Sequence, residues 1–556
     1  MVDRMRFGGL ASGVDTQSMV QQLMQVERLR MNRFVKQEKR TEWRQEAIHN
    51  MNRQMANFVL DMRKSFGLNQ VSYSGQFRAT SVNQFDWVKA ASSSNETAVT
   101  ARATAGAMNG THTVEVENLA KVASATSEDL KAATLEGTEE GTKILNEGTN
   151  TFSTAAVGKK ISFKLGGSEE VHTFTIGNNS TVGDLVSFIR KASSEGEATA
   201  LNAAYDTELG QIMVTSRQTG KEQSFTFVET PDANDPGNRD ANDITAIIFG
   251  AEHTGSIGED HTGNKKTGED AKIKFNGQEI KKATNDFSVF GINLSLKGMT
   301  EGTEVTLNVS TDVNSVVDKI KEFVDNYNTM IDNLNGKLTE TFYKDYEPLT
   351  NEEKEAMSDR DAEQWEERSK SGLLRNDETI TRMMQQMRSG MYAQVEGATG
   401  SYNQITQIGI TTGNFRDGGK LVIDEEKLRA AISNDVDGVM SLMFNVSDST
   451  DDTTRANENG LIQRLNDNIV TGMKEMVSKG GTGEDSSLYR SVQGNMLVDF
   501  VTRQSSISLL QRDRTSLNQR IAREEGLLAR KEQSYWDRFT AMEKAMQEMN
   551  SQADWL

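Results

Sequence analysis

His49, His112, His172, His253 and His261 are the side chains of this 556-residue chain best suited to hold a transition metal or to move a proton near neutral pH. Their spacing suits neither task. No HExxH occurs and only His253 and His261 lie near one another, so the histidines read as structural or solvent-exposed. The run Asp232 to Asp243, DANDPGNRDAND, superficially resembles a calcium loop, yet Pro236 takes a ligand position and flanking helices are not evident. It reads as a turn-rich surface loop. The stretch GGTGEDSS from Gly480 lacks the lysine of a phosphate loop, and neither a GxSxG elbow nor a paired dinucleotide fingerprint is present. Cysteine is absent, which removes disulfides, thiolate metal sites and thiol nucleophiles together. No catalytic residue, metal ligand or cofactor is therefore assigned, and an enzyme is not expected.

Residues that do no chemistry must act by position and surface, which turns attention to composition and charge. The chain is too long for one ordinary core and predicts three or four domains. No run reaches the roughly 18 apolar residues of a spanning helix, and the opening MVDRMRFGG lacks the apolar stretch of a general secretory signal. The lack of cysteine suits a chain that threads unfolded through an export channel. The net charge of −19 is unevenly placed: residues 1–64 carry 12 basic and 7 acidic side chains (+5), residues 503–556 carry 9 and 8 (+1), and the middle carries −25. An acidic body of this kind disfavours nucleic acid and anionic lipid.

The ends are patterned differently from the middle. From Val14 to Phe66 neither glycine nor proline occurs, helix formers dominate, and Ser12 or Asp15 can cap one long helix or two. Apolar side chains recur at Val20, Leu23, Met31 and Phe34, then at Ala47, Met51, Met55, Phe58 and Met62. From Leu510 a second stripe follows through Leu517, Ile521, Leu528, Tyr535, Phe539, Met542, Met546 and Met549, interrupted only by Gly526. Such stripes gain stability by packing, so the termini are expected to pair with each other, to dock on other subunits, or both. From about Val71 the texture becomes rich in Gly, Ser, Thr and Asn, and alternation marks strands at Ile161-Phe163-Leu165, Phe174-Ile176, Phe225-Phe227, Ile292-Leu294-Leu296 and Val305-Leu307-Val309. Helical periodicity returns over Val316–Leu334 and Leu373–Met391, separated by the charged segment Thr350–Lys370, while Ser447–Gly460 reads as a mobile loop.

These patterns predict an α+β multidomain fold: long terminal coiled-coil helices, a helical domain, and two nested β-rich domains in an extended bent rod. The expected divisions are a terminal leg at 1–42 and 515–556 and a helical domain at 43–75 and 312–514, with a β-hairpin near 405–425. An inner β-rich plate is expected at 76–120 and 270–311, and an outer variable β-rich domain at 121–269.

Five blocks carry a resemblance. Gly8–Glu27 (GGLASGVDTQSMVQQLMQVE) resembles the amino-terminal signature of the bacterial flagellar filament cap family, and Arg538–Leu556 resembles its carboxy-terminal helix through Phe539, Met542-Glu543, Met546 and Asn550-Ser551-Gln552. Blocks from Gly291, Ser371 and Ile405 follow in the family's order. Ser180–Ser193 (STVGDLVSFIRKAS) is similar to a short motif of flagellin and hook-associated outer domains; it departs at Arg190, while Thr181 and Asp184 give a capping box. The resemblance implies a homo-oligomeric ring of five or six subunits at the distal tip of the flagellum, exported by the flagellar type III pathway. It implies flagellin, hook-filament junction proteins and an export chaperone as partners, with no nucleic acid and no membrane insertion. Such a ring would retain exported flagellin and promote its folding and polymerisation. Leu10, Leu23, Met31, Phe34, Leu517, Ile521, Leu528, Tyr535, Phe539, Met542 and Met546 are the residues expected to carry filament or self-docking. The alternative is a surface adhesin that uses the variable outer domain.

Overall fold

The computed structural model describes residues 15–71, 77–79, 81–135, 142–166, 168, 170–192, 199–232, 240–250, 254–255, 265–413, 418–483 and 508–553. The chain divides into two units. One comprises residues 1–82 and 313–556, and the other, 83–312, is inserted within it.

The first unit begins with α1 (Thr16–Phe66), a single helix of 51 residues. Asp15 caps it by accepting the Ser18 amide at 3.0 Å, whereas Ser12, the other candidate cap, lies outside the described residues. Gly67 ends it at φ +72°, a left-handed position that closes the helix with bonds back to Arg63 and Lys64. A short hairpin, β1 (Asn69–Val71) with β2 (Phe77–Ala79), follows.

The inserted unit holds two cores. Strands β3 (Lys89–Ser93), β4 (Val99–Ala103), β5 (Gly110–Asn118) and β6 (Val122–Thr126) lead into β7 (Lys160–Leu165), β8 (Val171–Thr175), α2 (Val182–Lys191), β9 (Leu201–Asp206), β10 (Gln211–Thr219), β11 (Ser224–Val228), α3 (Thr245–Phe249), β12 (Thr254–Gly255) and β13 (Lys266–Thr267). The chain then returns through β14 (Ala271–Phe275), β15 (Gln278–Lys282), β16 (Asp286–Val289), β17 (Ile292–Leu296) and β18 (Val305–Thr311). A sandwich forms between the sheets β15-β14-β5-β18-β3 and β16-β17-β4. Its interior is Val114, Val116, Ile273, Phe275, Leu307 and Val309 from one sheet against Val99, Ile292, Leu294 and Leu296 from the other, the alternation expected of strands with one wet face. The second core lies beneath β6-β10-β9, β12-β11-β7-β8 and α2, around Phe163, Leu185, Ile189, Phe225, Phe227 and Phe249. Thr181 and Asp184 form the expected capping box at the start of α2, with Asp184 Oδ2 accepting the Thr181 amide at 2.8 Å. Arg190 donates to the Ala203 carbonyl at 2.7 Å and pins α2 to β9.

Back in the first unit, α4 (Val313–Thr339), α5 (Asn351–Glu355), α6 (Asp359–Lys370) and α7 (Glu378–Tyr392) precede the hairpin β19 (Ile410–Thr412) and β20 (Leu421–Ile423). Helices α8 (Glu425–Asn434), α9 (Val436–Phe444), α10 (Asp452–Glu458), α11 (Leu461–Gly480) and α12 (Leu509–Ala553) complete it. The second half of α1 buries Trp43, Ile48, Met51, Met55, Phe58, Met62 and Phe66. It packs against α4 and α11, and Phe66 meets Phe444 edge-on at 4.8 Å.

One expectation is corrected. The polar run 447–460, read as a mobile loop, contains α10, because Asp451 caps it by accepting the Thr454 amide at 2.8 Å and Ser447 is held by Asn459 at 3.0 Å. The charged segment 350–370, to which the sequence pattern assigned no element, is the helix pair α5 and α6, whose acidic first turns suit their amino ends. Low apolar content hid both, since their stability comes from caps.

Candidate functional site

Among the described residues no group of acidic and histidine side chains is arranged to hold a metal, and no helix is long and apolar enough to cross a membrane. The His253–His261 pair, Leu10 and most of the 232–243 loop lie outside those residues. Attention falls on the first half of α1 and on α12, which pack along each other.

The pairing is antiparallel. Glu27 meets Lys531, Arg30 reaches Glu524 at 3.2 Å, the Arg520 guanidinium lies 5.9 Å over the Phe34 ring, and Arg514 contacts Glu38 at 2.9 Å and Glu42 at 3.0 Å. Beneath these polar clasps Val20, Met24 and Leu528 form a small core, against which Met31, Tyr535, Trp536 and Phe539 pack. The Tyr535 hydroxyl donates to Glu27 Oε1 at 3.1 Å. The Lys531 ammonium beside Glu27 holds its carboxyl below the usual range, and Lys39, with help from Arg514, does the same for Glu42. Three core side chains at roughly 2 kcal/mol each, together with partly exposed ion pairs of small value, give a seam that holds but can open.

The expected docking residues divide across this seam. Leu528 lies in its core; Met31, Tyr535 and Phe539 pack on it; Leu517 is buried; Phe34, Ile521 and Met546 are half-buried. Leu23 and Met542 face solvent, at 39% exposure each. Met24 and Trp536 were not singled out in the sequence, although Met24 stands four residues after Val20, the step that marks a shared helix face. A second apolar row on α1, formed by Met19, Leu23, Val26 and Leu29, is exposed beside the seam, and Val26 and Leu29 are 68% and 66% open.

Comparisons with known proteins bear on this arrangement. Residues 12–123 match the family model described as Flagellar hook-associated protein 2 N-terminus, and residues 268–551 match that of its C-terminus. A Flagellar hook-associated protein 2 of Halalkalibacterium halodurans is 30% identical over 99% of this chain and 98% of its own length. The chain belongs to the flagellar hook-associated protein 2 family. A family member from Thermotoga maritima is 28% identical over 50% of this chain and 39% of its own length. Among solved structures, the D1-D2-D3 domains of the flagellar cap protein FliD from Escherichia coli align at 18% identity with a TM-score of 0.46, covering 78% of this chain and 95% of that one. Both halves of the α1–α12 seam fall within the matched family ranges, whereas residues 124–267, most of the second β core, fall between them.

Proposed function

We propose that this chain is a filament cap: a homo-oligomeric ring at the distal end of the flagellum that keeps exported flagellin from escaping and promotes its folding and addition. The observation that carries the reading is the α1–α12 pair, which buries a narrow core and leaves Leu23, Met19, Val26 and Leu29 in solvent. A helix pair with one satisfied face and one open apolar row can hold itself together while docking on a succession of filament subunits, with binding energy in place of catalysis. Docking on the filament falls first to the exposed Leu23 and Met542, while Met31, Phe34, Leu517, Ile521, Leu528, Tyr535, Phe539 and Met546 serve self-docking and would reach a filament subunit when the seam exchanges partners, with Leu10 carried from the sequence alone. The terminal leg is assigned to 1–42 and 515–556, the ring plate to the β-rich domains, and export to the flagellar type III route. Hook-filament junction proteins and an export chaperone complete the partners.

Adjacent residues separate docking from folding. Leu23→Asp is expected to cost the isolated chain about 1 kcal/mol and leave it folded, because the side chain is 39% exposed and lies outside the seam core. It is expected to permit secretion and to stop filament growth. Met24→Asp, inside the seam, is expected to free α12 for proteolysis. Filaments of normal length with Leu23→Asp, scored by electron microscopy, would remove the leg from the mechanism.

A second reading has its own observation: the outer β body exposes Leu209 and Met213, at 63% and 51%. An adhesive surface there would leave filament growth intact, and abolish attachment, when both are replaced by Ser.

A further inference from the structure

The only strongly basic stretch of α1 is Arg28–Arg44, with seven basic and two acidic side chains in a protein of net charge −19. It is covered in part by the same chain. Residues 345–367, with ten acidic and two basic side chains, run beside it: Glu352 pairs with Arg28, Glu353 with Lys36 at 2.7 Å, and Glu347 with Lys36 at 3.8 Å. At the margins Arg40 lies 5.4 Å over the Phe342 ring and Lys370 lies 5.1 Å over Trp43. Arg33, between the two paired cations, is exposed and has no carboxylate partner among the described residues.

The covering segment is folded on itself more than onto α1. Tyr346 and Trp365 rings sit 4.6 Å apart, the Trp365 indole donates to the Glu347 carbonyl at 2.8 Å, and Thr350 and Glu353 make a capping box. Beyond the buried Pro348-Leu349-Thr350, α5 buries nothing and α6 buries only Ser369. Its outer half is thus tied to α1 by partly exposed ion pairs, which are weak singly and screened by salt.

We propose that residues 345–367 are an acidic strap standing in for a partner, masking a basic docking face on α1 whose external occupant is an acidic helical segment of another protein. Charge complementarity names the occupant: whatever displaces the strap must offer carboxylates spaced to reach Arg28 and Lys36, two helical turns apart. This masking holds whether or not the α1–α12 seam exchanges partners, since it uses a different face of the helix.

Hydrogen exchange on the full chain tests the strap. Raising sodium chloride from about 50 mM to about 500 mM is expected to speed amide exchange in 351–368 roughly three- to tenfold, with no change in 48–62 of α1. Arg28→Glu with Lys36→Glu is expected to reach the same fast rate at low salt. The occupant is tested with a fluorescent synthetic peptide of residues 341–370 as the acidic probe. The full chain carrying Glu347→Gln, Glu352→Gln and Glu353→Gln is expected to bind it at least about tenfold more tightly than wild type, and to lose it when Lys36→Glu is added. Exchange in 351–368 that ignores salt would overturn the strap. Equal probe binding by wild type and the glutamine variant would overturn the masking, and dimerisation of that variant in place of probe binding would overturn the external partner in favour of a second copy.

Discussion

Asp377 joins three helices through one carboxylate. It caps α7 by accepting the Thr379 amide at 3.1 Å, and it receives Lys479 of α11 at 2.5 Å and Arg44 of α1 at 3.4 Å, with its side chain only 3% exposed. Burial alone would raise its pKa; the Lys479 ammonium, the cap and Arg44 together outweigh that and hold it below the usual carboxylate range. A depressed folded value means that the carboxylate stabilises the fold above the unfolded pKa of about 3.9 and that this contribution is lost as pH falls toward the folded value. Urea unfolding is therefore expected to show a midpoint that drops from pH 5 to pH 3, and a flatter profile over that window for Asp377→Asn. At pH 7, Asp377→Ala is expected to cost about 3 kcal/mol, because two cations lose their partner. Little of this node was legible in the sequence. The Asp-Glu-Thr start of α7 announces a cap, but Arg44 and Lys479 stand hundreds and about a hundred positions away, and no local pattern links them. Where a polar residue serves its own helix, as Asp15, Thr181 and Asp184 do, it can be read from the chain; where it serves the packing of three helices, it cannot.

At the scale of elements, Arg464 shows how a helix end can be closed from outside. Its buried guanidinium donates to the carbonyls of Gly390 at 3.3 Å, Ala393 at 3.0 Å, Gln394 at 2.7 Å and also Asn457, so one side chain of α11 satisfies the carboxyl ends of α7 and α10. Arg464→Lys is expected to destabilise the first unit by about 2 kcal/mol, because a single ammonium cannot spread over four carbonyls; thermal melts of the full chain measure it. The same contact explains why 447–460 reads as loop from its sequence and folds as helix: the element borrows its closure from a residue that follows it. The terminal stripes are the reverse case. Their periodicity is plain, so helix over Val14–Phe66 and from Leu510 follows directly, although one helix or two stays open for the first until the structure shows a single α1. Which of two adjacent residues faces inward turns on about 100° of rotation per residue, and only the partner helix decides. Leu23 and Met24 differ by that one step, and the structure gives the seam to Met24.

At the scale of the whole molecule, the second β core joins the first around Lys121 and Glu269, where Thr219 also donates to the Ala283 carbonyl at 2.5 Å and the Lys221 amide to Asp270 Oδ1 at 2.8 Å. Lys121 and Glu269 face each other there, each amide donating to the other's carbonyl at 2.9 and 3.0 Å, the hydrogen-bonded pair of an antiparallel ladder. Replacing residues 122–268 by Asn-Gly, the link such a pair accepts as a two-residue turn, is expected to leave the β5, β14 and β18 amides protected from exchange. The sandwich core contains no residue from the excised span, and its loss on excision would show that the two β bodies fold only together. Residues 124–267, which lie between the two matched family ranges, occupy nearly the same span, so the alternating strands that made the outer body legible say nothing of what it contacts. Two chain ends held side by side form a socket. Any domain whose own termini emerge about 5.5 Å apart could be grafted between Lys121 and Glu269 with the sandwich core whole and only the Thr219–Ala283 and Lys221–Asp270 bonds given up, which would turn this position into a site for displaying cargo.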